Sequence, residues 1–166
     1  ALITEDRKVT GLNLSGSVND NIAMVAIKKL LSHGLYNKNK ARAASMEYIK
    51  KLNIKTPSGD QIAGNLSGGN QQKIVIAKWL LNDPDIIILD EPTRGIDVGA
   101  KRDIYLLLGK LVQQGKAVIM ISSEIPELMG VCDRIMVMCE GNLSGEVQRG
   151  EFSQERIMTL ASAIEV

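Results

Sequence analysis

The chain has 166 residues, of which 45% are hydrophobic and 3% aromatic, and its 20 basic and 19 acidic residues leave a net charge of +1. That length fits one modest domain or part of a larger one. The balanced charge and the scarcity of stacking aromatics argue against a nucleic-acid partner, and no apolar run in the sequence is as long as a membrane span.

Few residues of the sequence suit a metal site or a disulfide. Cys132 and Cys139 lack the spacing of zinc ligands, and His33 is the sole histidine, so we expect free core thiols in a reducing cytosol. No secretory signal opens the chain, and Ala1 leads directly into apolar and charged residues. We therefore expect a fragment of a longer protein.

The residues before Pro84 favour helices. Residues 1–3 have the pattern of a strand tail, and charged and flexible loops follow up to Ser17, a plausible N-cap for a helix reaching about residue 30. A second helix is predicted over residues 39–52. Its apolar side would carry Ala43, Met46 and Ile49. No confident strand is predicted between residues 18 and 82.

After Pro84 the pattern changes to alternating strands and helices. The aliphatic run at 86–89 is typical of a strand covered on both faces of a parallel sheet, and a second buried strand is predicted at 117–121. A helix between them would bury one face and end at Gly115. That face consists of Ile104, Leu107, Leu108 and Leu111.

The last residues predict a short helix over 124–129 and a hairpin of strands 135–138 and 143–147. Ser153 would cap a final helix reaching about Ala163. Strand–helix–strand–helix–strand order indicates an α/β fold with right-handed crossovers. The change near Pro84 predicts a subdomain border and not a second domain.

A serine and two glycines stand at the start of the helix predicted to reach about Asn82. The stretch is Leu66-Ser67-Gly68-Gly69-Asn70-Gln71-Gln72-Lys73. Free backbone N–H groups and the positive end of the helix dipole make such a start a generic anion site, and the absent side chains let a phosphate come close. In the alternative interpretation Ser67 is only an N-cap and the glycines only shape a turn. The physics alone leaves the two interpretations about even.

Two adjacent carboxylates, Asp90 and Glu91, follow the strand at 86–89, at the sheet edge where open α/β folds bind ligands. Such a pair suits phosphoryl chemistry, since one carboxylate can hold Mg²⁺ and the other can orient an attacking water. The alternative is that Asp90 caps a turn and Glu91 is solvated. The aliphatic strand directly before them favours the functional interpretation.

Residues 66–73 and the later Asp90-Glu91-Pro92-Thr93 resemble the signature and Walker B motifs of ABC ATPases, in that family's order and spacing. Three further phrases resemble the second nucleotide-binding half of tandem ATP-binding proteins that serve importers of ribose, galactose, xylose or arabinose. They are Thr4-Glu5-Asp6-Arg7-Lys8, the run from Glu91 to Lys101, and Ser122-Ser123-Glu124-Ile125-Pro126-Glu127. The resemblance covers nearly the whole chain.

The resemblance implies a fold and a domain plan. The fold would be α/β, a partial P-loop NTPase core of the RecA-like, ABC type, with a mostly helical subdomain and without its phosphate-loop portion. Residues 1–17 would form the Q-loop region and 18–82 the helical and signature subdomain, resting against a membrane-embedded partner. Residues 83–166 would form the core sheet with the Walker B, D-loop and switch regions.

The resemblance also implies roles for single residues. Ser67, Gly68 and Gly69 would contact the γ-phosphate of an ATP held by the opposite half, with Asn70 and Gln72 supporting their loop. Asp90 would belong to the Mg²⁺ shell and Glu91 would polarise the hydrolytic water. Asp97 would lie in the D-loop between the halves, a role compatible with capping the following helix.

Three features depart from the usual family pattern. The phosphate loop Gly-x-x-x-x-Gly-Lys-[Ser/Thr] is absent, and the nearest candidate, Gly115-Lys116, lacks the following hydroxyl. Glu5 stands where the Q-loop glutamine is expected, and Ser123 stands where the switch histidine contacts the γ-phosphate. The last two changes recur in the sugar-importer second half, but they weaken the assignment of turnover to Glu91.

The implied function is that of an ATP-binding subunit that drives carbohydrate import with ATP and Mg²⁺. Its partners would be the first nucleotide-binding half or a dimer mate, the permease subunits and, indirectly, an external sugar-binding protein. It would lie peripherally at the cytoplasmic face of the membrane. One alternative is a soluble ABC machine, which the missing basic patches disfavour. Another is a regulatory half-domain in which Asp90 and Glu91 are vestigial.

Two further expectations follow from the missing phosphate loop. The chain alone should be catalytically silent. An aliphatic sheet surface without its upstream strands should be uncovered, so we expect self-association or rearrangement near residues 1–20.

Overall fold

The computed structural model describes residues 1–162, which form two compact units, Ala1–Ile121 and a second that begins at Ser122. Up to residue 80, the first unit contains one short strand, a hairpin and three helices. They are β1 (Leu2–Ile3), α1 (Val18–Ala23), β2 (Leu31–Ser32), β3 (Leu35–Tyr36), α2 (Lys38–Lys51) and α3 (Gly68–Leu80). The predicted charged loop contains one helical turn, Arg7–Gly11, which Asp6 caps.

The helix after Ser17 is shorter than predicted. Ser17 caps α1 as expected, since its Oγ accepts a hydrogen bond from the Asp20 N–H at 3.1 Å, but α1 ends at Ala23. The chain continues through a 3₁₀ turn, Ile27–Leu30, because Ala26 and Leu30 pack against α2 there. Tertiary packing therefore overrides the helical propensity of this segment.

The hairpin of β2 and β3 contradicts the expectation that residues 18–82 contain no strand. His33 and Gly34 have φ angles of 50° and 81°, and positive φ at both central residues is the mark of a type I′ turn. Such a turn matches the twist of the two strands it joins, so even this four-residue ladder can form. The turn chemistry of the two residues was the missed signal.

Helix α2 lies within a residue of its predicted bounds, and its predicted apolar side is confirmed at Ile49 but wrong at Ala43 and Met46. Ala41, Ser45 and Ile49 are buried, whereas Ala43 and Met46 are exposed. The helix is rotated so that the Ser45 hydroxyl can donate to the Asn19 carbonyl of α1 at 3.2 Å. A buried hydroxyl with a backbone acceptor explains how a serine can take a core position.

The rest of the first unit is a strand–helix–strand segment: β4 (Ile86–Asp90), α4 (Val98–Gln113) and β5 (Ala117–Ile121). The sheet order is β1-β4-β5 and both pairings are parallel, as the sequence predicted for an α/β layer. The predicted face of α4 is confirmed, with Ile104, Leu108 and Leu111 buried and Leu107 packed against the same core. Gly115 follows α4 with a φ of 84°, as expected for a C-terminal glycine.

The expectation that both strands are covered on both faces is wrong. Ile87 and Leu89 are buried in the core with residues of α3 and α4, but the alternate residues are about half exposed: Ile86 at 53%, Ile119 at 51% and Ile121 at 50%. Successive side chains of a strand point to opposite faces. One face of this sheet is therefore open and apolar.

The second unit contains α5 (Ile125–Val131), β6 (Arg134–Cys139), β7 (Asn142–Gln148) and α6 (Gln154–Ala161). The predicted hairpin is confirmed, and β6, expected as the third strand of the α/β series, pairs antiparallel with β7. Ser153 caps α6 as predicted, since its Oγ accepts from the Arg156 N–H at 3.1 Å. The predicted helix end at Ala163 lies outside the described residues.

Both cysteines are free thiols, as expected. Cys132 packs against the core of the second unit, and Cys139 is half-buried at the end of β6. The core of the first unit contains residues from both sides of Pro84, including Ile22, Ile74 and Ile104. The subdomain border predicted near Pro84 stays a prediction. Within residues 1–162, none of the helices combines the length and apolarity needed to cross a membrane.

Candidate functional site

Ser67 stands at the N-cap position of α3, but its side chain does not cap the helix. Its Oγ instead accepts a hydrogen bond from the side-chain amide Nδ2 of Asn70 at 2.9 Å, and the side-chain oxygen Oδ1 of Asn70 accepts from the Lys55 backbone N–H at 2.8 Å. The Ser67 side chain is exposed. The hydroxyl is therefore oriented by Asn70 and can donate outward, and it leaves the first N–H groups of α3 to a ligand.

Gln71 fixes the loop that leads into α3, a role that the sequence analysis did not assign. Its buried side-chain amide donates to three carbonyls of the loop, those of Ala63 and Gly64 at 3.3 Å each and that of Leu66 at 3.1 Å. The signal in the sequence that could have identified Gln71 is a polar residue on the apolar side of the helix. Gln72, to which the sequence assigned loop support, is buried in α3, and that role stays a prediction.

The two glycines are required by packing alone. A Cβ on Gly69 would overlap the Cβ of Ala100 in α4, and a Cβ on Gly68 would lie 2.9 Å from Nη2 of Arg7. The start of α3 therefore packs against α4 on one side and against the Arg7 guanidinium on the other. Substitution at either position disturbs a neighbouring element.

Asp97 lies beside the same helix start. Its carboxylate accepts a hydrogen bond from the Ala100 N–H at 2.9 Å, which confirms its expected role as the N-cap of α4. Its Oδ2 lies 3.6 Å from the position that a Cβ of Gly69 would take. The structure therefore brings the predicted D-loop and signature residues together, although they are far apart in the sequence.

The carboxylates of the predicted Walker B motif lie at the carboxyl edge of the sheet. Asp90 ends β4, and β1 runs parallel beside it with Ile3 opposite Leu89, so Glu5 and Glu91 follow neighbouring strands at one edge. The Glu91 N–H donates to the Ile121 carbonyl at 2.9 Å. Its φ of 45° is unusual for a non-glycine residue, and such backbone strain concentrates at functional sites.

Arg94 and Arg7 link the start of α3 to the carboxyl edge of the sheet. The sequence analysis assigned no role to either residue. The Arg94 guanidinium forms an ion pair with the Glu5 carboxylate. Arg7 donates from Nη1 to the Arg94 carbonyl at 3.0 Å and from Nη2 to the Gly95 carbonyl at 3.4 Å. Glu5, predicted to bind nucleotide, is thus held by Arg94 in this structure.

Asp90 suits a metal site in which a bound nucleotide and water supply the other ligands. Among residues 1–162 there is no group of three or more histidine, cysteine or carboxylate side chains that could hold a metal. Mg²⁺ is typically held by one or two carboxylates together with substrate phosphates and water. One carboxylate at the strand end fits that requirement, with the other ligands coming from nucleotide and solvent.

Ser123, the predicted switch residue, belongs to the second unit and is exposed. Its neighbour Ser122 donates to the Glu127 carboxylate at 2.5 Å and accepts from the Glu124 N–H at 3.1 Å. These bonds shape the turn that precedes α5. The contact of Ser123 with a γ-phosphate stays a prediction.

Ionic contacts fix α3 within the first unit. Lys73 donates to the Asp103 carboxylate of α4 at 2.7 Å, and this hydrogen bond lowers the pKa of Asp103. Lys78, also buried in α3, donates to the Gly11 carbonyl, and burial lowers its pKa. The helix that carries Ser67 is therefore held by charged contacts along its length.

Comparisons with known proteins identify the relatives of this chain. A family profile described as ABC transporter matches residues 3–94. The ribose import ATP-binding protein RbsA of Clostridium tetani is 56% identical over 98% of this chain and 32% of its own length. A putative ribose/galactose/methyl galactoside import ATP-binding protein of Halalkalibacterium halodurans is 52% identical over 96% of the chain and 31% of its length. The chain thus spans about a third of these relatives.

Solved structures show the same fold. The ATP-binding cassette MJ0796 in a dimeric post-hydrolysis state, bound to ADP and Pi, aligns with a TM-score of 0.74 and 25% identity over 89% of this chain and 62% of that one. A putative metal-chelate type ABC transporter in an inward-facing conformation aligns with a TM-score of 0.78 and 20% identity over 95% and 62%. The predicted ABC-type α/β fold class is confirmed.

Proposed function

Because the chain belongs to the ABC transporter family, we propose that it forms part of the ATP-binding subunit of a carbohydrate importer. In this role the start of α3 completes an ATP site whose phosphate loop another domain holds. The observation that carries the proposal is the Ser67 hydroxyl, which Asn70 orients at a helix start packed beside Asp97. Relatives more than half identical to the chain are named as ribose or galactoside import ATP-binding proteins, which supports the substrate class.

The sequence supports the assignment of only half a site to this chain. The chain offers an oriented hydroxyl and two glycines at a helix start, where the first N–H groups have no partner within the helix, and these features together suit a terminal phosphate. It does not contain the glycine-rich loop and lysine that cradle the rest of a nucleotide triphosphate. We infer that the opposite half supplies that loop, and that Asp97 reaches the same interface.

The carboxylates at the sheet edge take the roles expected for hydrolysis. Asp90 would hold Mg²⁺, which when bound neutralises charge on the transferring phosphoryl group. Glu91 would orient the attacking water, and Ser123 would face the γ-phosphate in place of a histidine. Glu5 must exchange its ion pair with Arg94 if it is to meet the nucleotide.

The partners follow from the transport role. The chain would pair with the first nucleotide-binding half of its own subunit or of a dimer mate, and would couple closure to permease subunits at the cytoplasmic face of the membrane. A sugar-binding protein outside the cell would act through the permease. The choice among ribose, galactose and related sugars would belong to those other subunits.

Sugar uptake by the full-length protein tests the proposal. Cells lacking the native subunit would be complemented with wild type, Ser67→Ala or the exposed control Ser58→Ala, and uptake of labelled ribose and galactose would be measured. We expect Ser67→Ala to reduce uptake by about tenfold to a hundredfold, as for loss of one preorganised donor. Wild-type uptake by Ser67→Ala, or purification without any membrane protein, would favour a soluble or regulatory function.

The 166-residue chain by itself is expected to be silent in ATP hydrolysis. The expectation rests on the missing phosphate loop, since α3 alone provides contacts for only one phosphate group. Phosphate release measured with the purified chain at millimolar ATP and Mg²⁺ checks this. Sustained turnover by the chain alone would contradict the half-site assignment.

A further inference from the structure

Arg7 occupies a fixed place between three segments of the candidate site. It begins the helical turn Arg7–Gly11, whose cap, Asp6, accepts hydrogen bonds from the Lys8 and Val9 N–H groups at 2.9 and 3.1 Å. The backbone from which the Arg7 side chain extends is therefore ordered by its own neighbours. The hydrogen bonds of the guanidinium to a distant turn then set the direction of the side chain.

The guanidinium of Arg7 spans two consecutive carbonyls in the turn after β4. Nη1 donates to the Arg94 carbonyl at 3.0 Å and Nη2 to the Gly95 carbonyl at 3.4 Å. Gly95 has a φ of 68°, a conformation that glycine adopts without strain. The two carbonyls are thus presented to one planar group, a geometry that the five donors of arginine match and a lysine ammonium does not.

The same guanidinium contacts the start of α3. Nη2 lies where a side chain on Gly68 would begin, at 2.9 Å from the Cβ that any other residue would have there. Nε is buried and has no hydrogen-bond partner in the part of the chain that the structure describes. A buried donor without a partner is unfavourable, so the surrounding contacts must hold the group in place.

Arg94 links the same segments in the opposite direction, from the turn after β4 back to the segment after β1. Arg94, whose carbonyl accepts from Arg7, forms an ion pair through its own side chain with Glu5. Arg94 lies three residues before Asp97, which caps α4 beside Gly69. A shift of the turn at residues 94–95 would therefore move Asp97 relative to the start of α3.

We propose that Arg7 is a positioning residue of the composite ATP site. It holds the segment after β1, the start of α3 and the turn before Asp97 in one arrangement, so that Ser67 and Asp97 reach the opposite domain together. Arg7 itself contacts no nucleotide in this role. The inference rests on the proposed function, because it concerns the alignment of the half-site assigned there.

Steady-state ATP hydrolysis by the full-length protein, assembled with its permease, tests the proposal. The variants are Arg7→Met, Arg7→Lys and the control Arg156→Met, which removes an exposed arginine of α6 paired with Glu151. We expect Arg7→Met to lower kcat by about tenfold or more, since small misplacements of catalytic groups are costly, while KM for ATP stays within about twofold. Arg7→Lys should recover only part of kcat, and Arg156→Met should match wild type.

Three results would overturn the proposal: kcat within about twofold of wild type for Arg7→Met, a raised KM with unchanged kcat, or full recovery by Arg7→Lys. Ser67→Ala, measured in parallel, separates this inference from the proposed function. Loss of turnover in Ser67→Ala but not in Arg7→Met refutes the positioning role alone, whereas wild-type turnover in Ser67→Ala refutes both.

A double-mutant cycle in the full-length protein tests the contact itself, without ATP. Gly68→Ala should displace the guanidinium, so Arg7→Met should shift the denaturation midpoint less than half as far in the Gly68→Ala background as in wild type. Additive shifts would show that Arg7 and Gly68 do not interact and would contradict the structure-based argument. The same unfolding curves report whether Arg7→Met is folded, and if it is not, Arg7→Lys carries the kinetic comparison.

Discussion

At the residue scale, Gly69 shows that packing alone can require a glycine at a helix start. Its missing side chain lets α3 lie directly against Ala100 of α4, which occupies the space that a Cβ of residue 69 would need. This packing requirement can be measured without any nucleotide.

We predict that Gly69→Ala destabilises the chain by about 1–3 kcal/mol, because the new methyl group overlaps the Ala100 methyl in a packed interface. Chemical denaturation followed by circular dichroism measures the change. Gly109→Ala is the matched control, since a Cβ there meets nothing within 4 Å, and it should stabilise α4 by about 0.5–1 kcal/mol. Equal stability of Gly69→Ala and wild type would contradict the close approach of α3 and α4.

The sequence located part of the candidate site. The positions of Ser67 and Asp97 at helix starts could be predicted because helix starts and motif order are local patterns, and Asp97 does cap α4. Arg7 and Gln71 could not, because their partners lie in a distant turn or depend on the exact direction of a helix face. Only the folded chain shows what these two side chains contact.

At the element scale, the Lys73–Asp103 pair joins α3 to α4. The Lys73 side chain is 6% exposed and that of Asp103 is 46% exposed, so a buried ammonium depends on a partly solvated carboxylate. The hydrogen bond from Lys73 holds the pKa of Asp103 below its ordinary value of 3.8. A carboxylate with a lowered pKa in the folded chain contributes stability above about pH 4, and this contribution is lost as the pH falls further.

We predict that Asp103→Asn costs about 1 kcal/mol at neutral pH, a modest value because solvent screens the exposed half of the pair. The difference from wild type should shrink as the pH falls below 4, where Asp103 itself becomes protonated. Denaturation curves between pH 2 and pH 7 measure both effects, with the fully exposed Asp85→Asn as control. A difference that persists unchanged at pH 2 would show that the charge of Asp103 is not responsible.

The long periodic pattern of α4 predicted that helix from the sequence, whereas the short hairpin of β2 and β3 was missed. The apolar face and C-terminal glycine of α4 lie where the spacing placed them. The hairpin at Leu31–Tyr36 was missed because two-residue strands carry no period and only the turn residues mark them. The covered faces of β4 and β5 were predicted wrongly because an aliphatic strand does not reveal what packs on each side.

At the scale of the whole molecule, the open sheet face is the dominant feature of the first unit. Half-exposed isoleucines of β4 and β5 form a contiguous apolar surface, since Ile88 of β4 pairs with Ile119 and the alternate residues share that side. Contiguous apolar surfaces of this kind favour association. The expected self-association of the chain, or rearrangement near residues 1–20, stays a prediction.

We predict that the 166-residue chain self-associates in a concentration-dependent manner through this face, which sedimentation velocity will detect. The double variant Ile119→Thr, Ile121→Thr should shift the distribution toward monomer, because both side chains are half exposed. Met46→Thr, an exposed apolar residue of α2, serves as control and should leave association unchanged. A wild-type chain that stays monomeric at high micromolar concentration would contradict the prediction.

The central claim is that Ser67 at the start of α3 contacts an ATP held by another domain. Site-directed cross-linking in the full-length protein tests it most directly, with Ser67→Cys and a cysteine introduced into the phosphate loop of the opposite half. We predict that a short bifunctional reagent joins the two positions in the presence of ATP under non-hydrolysing conditions, and not with ADP or without nucleotide. No cross-link with ATP, or one equally formed without it, would contradict the account.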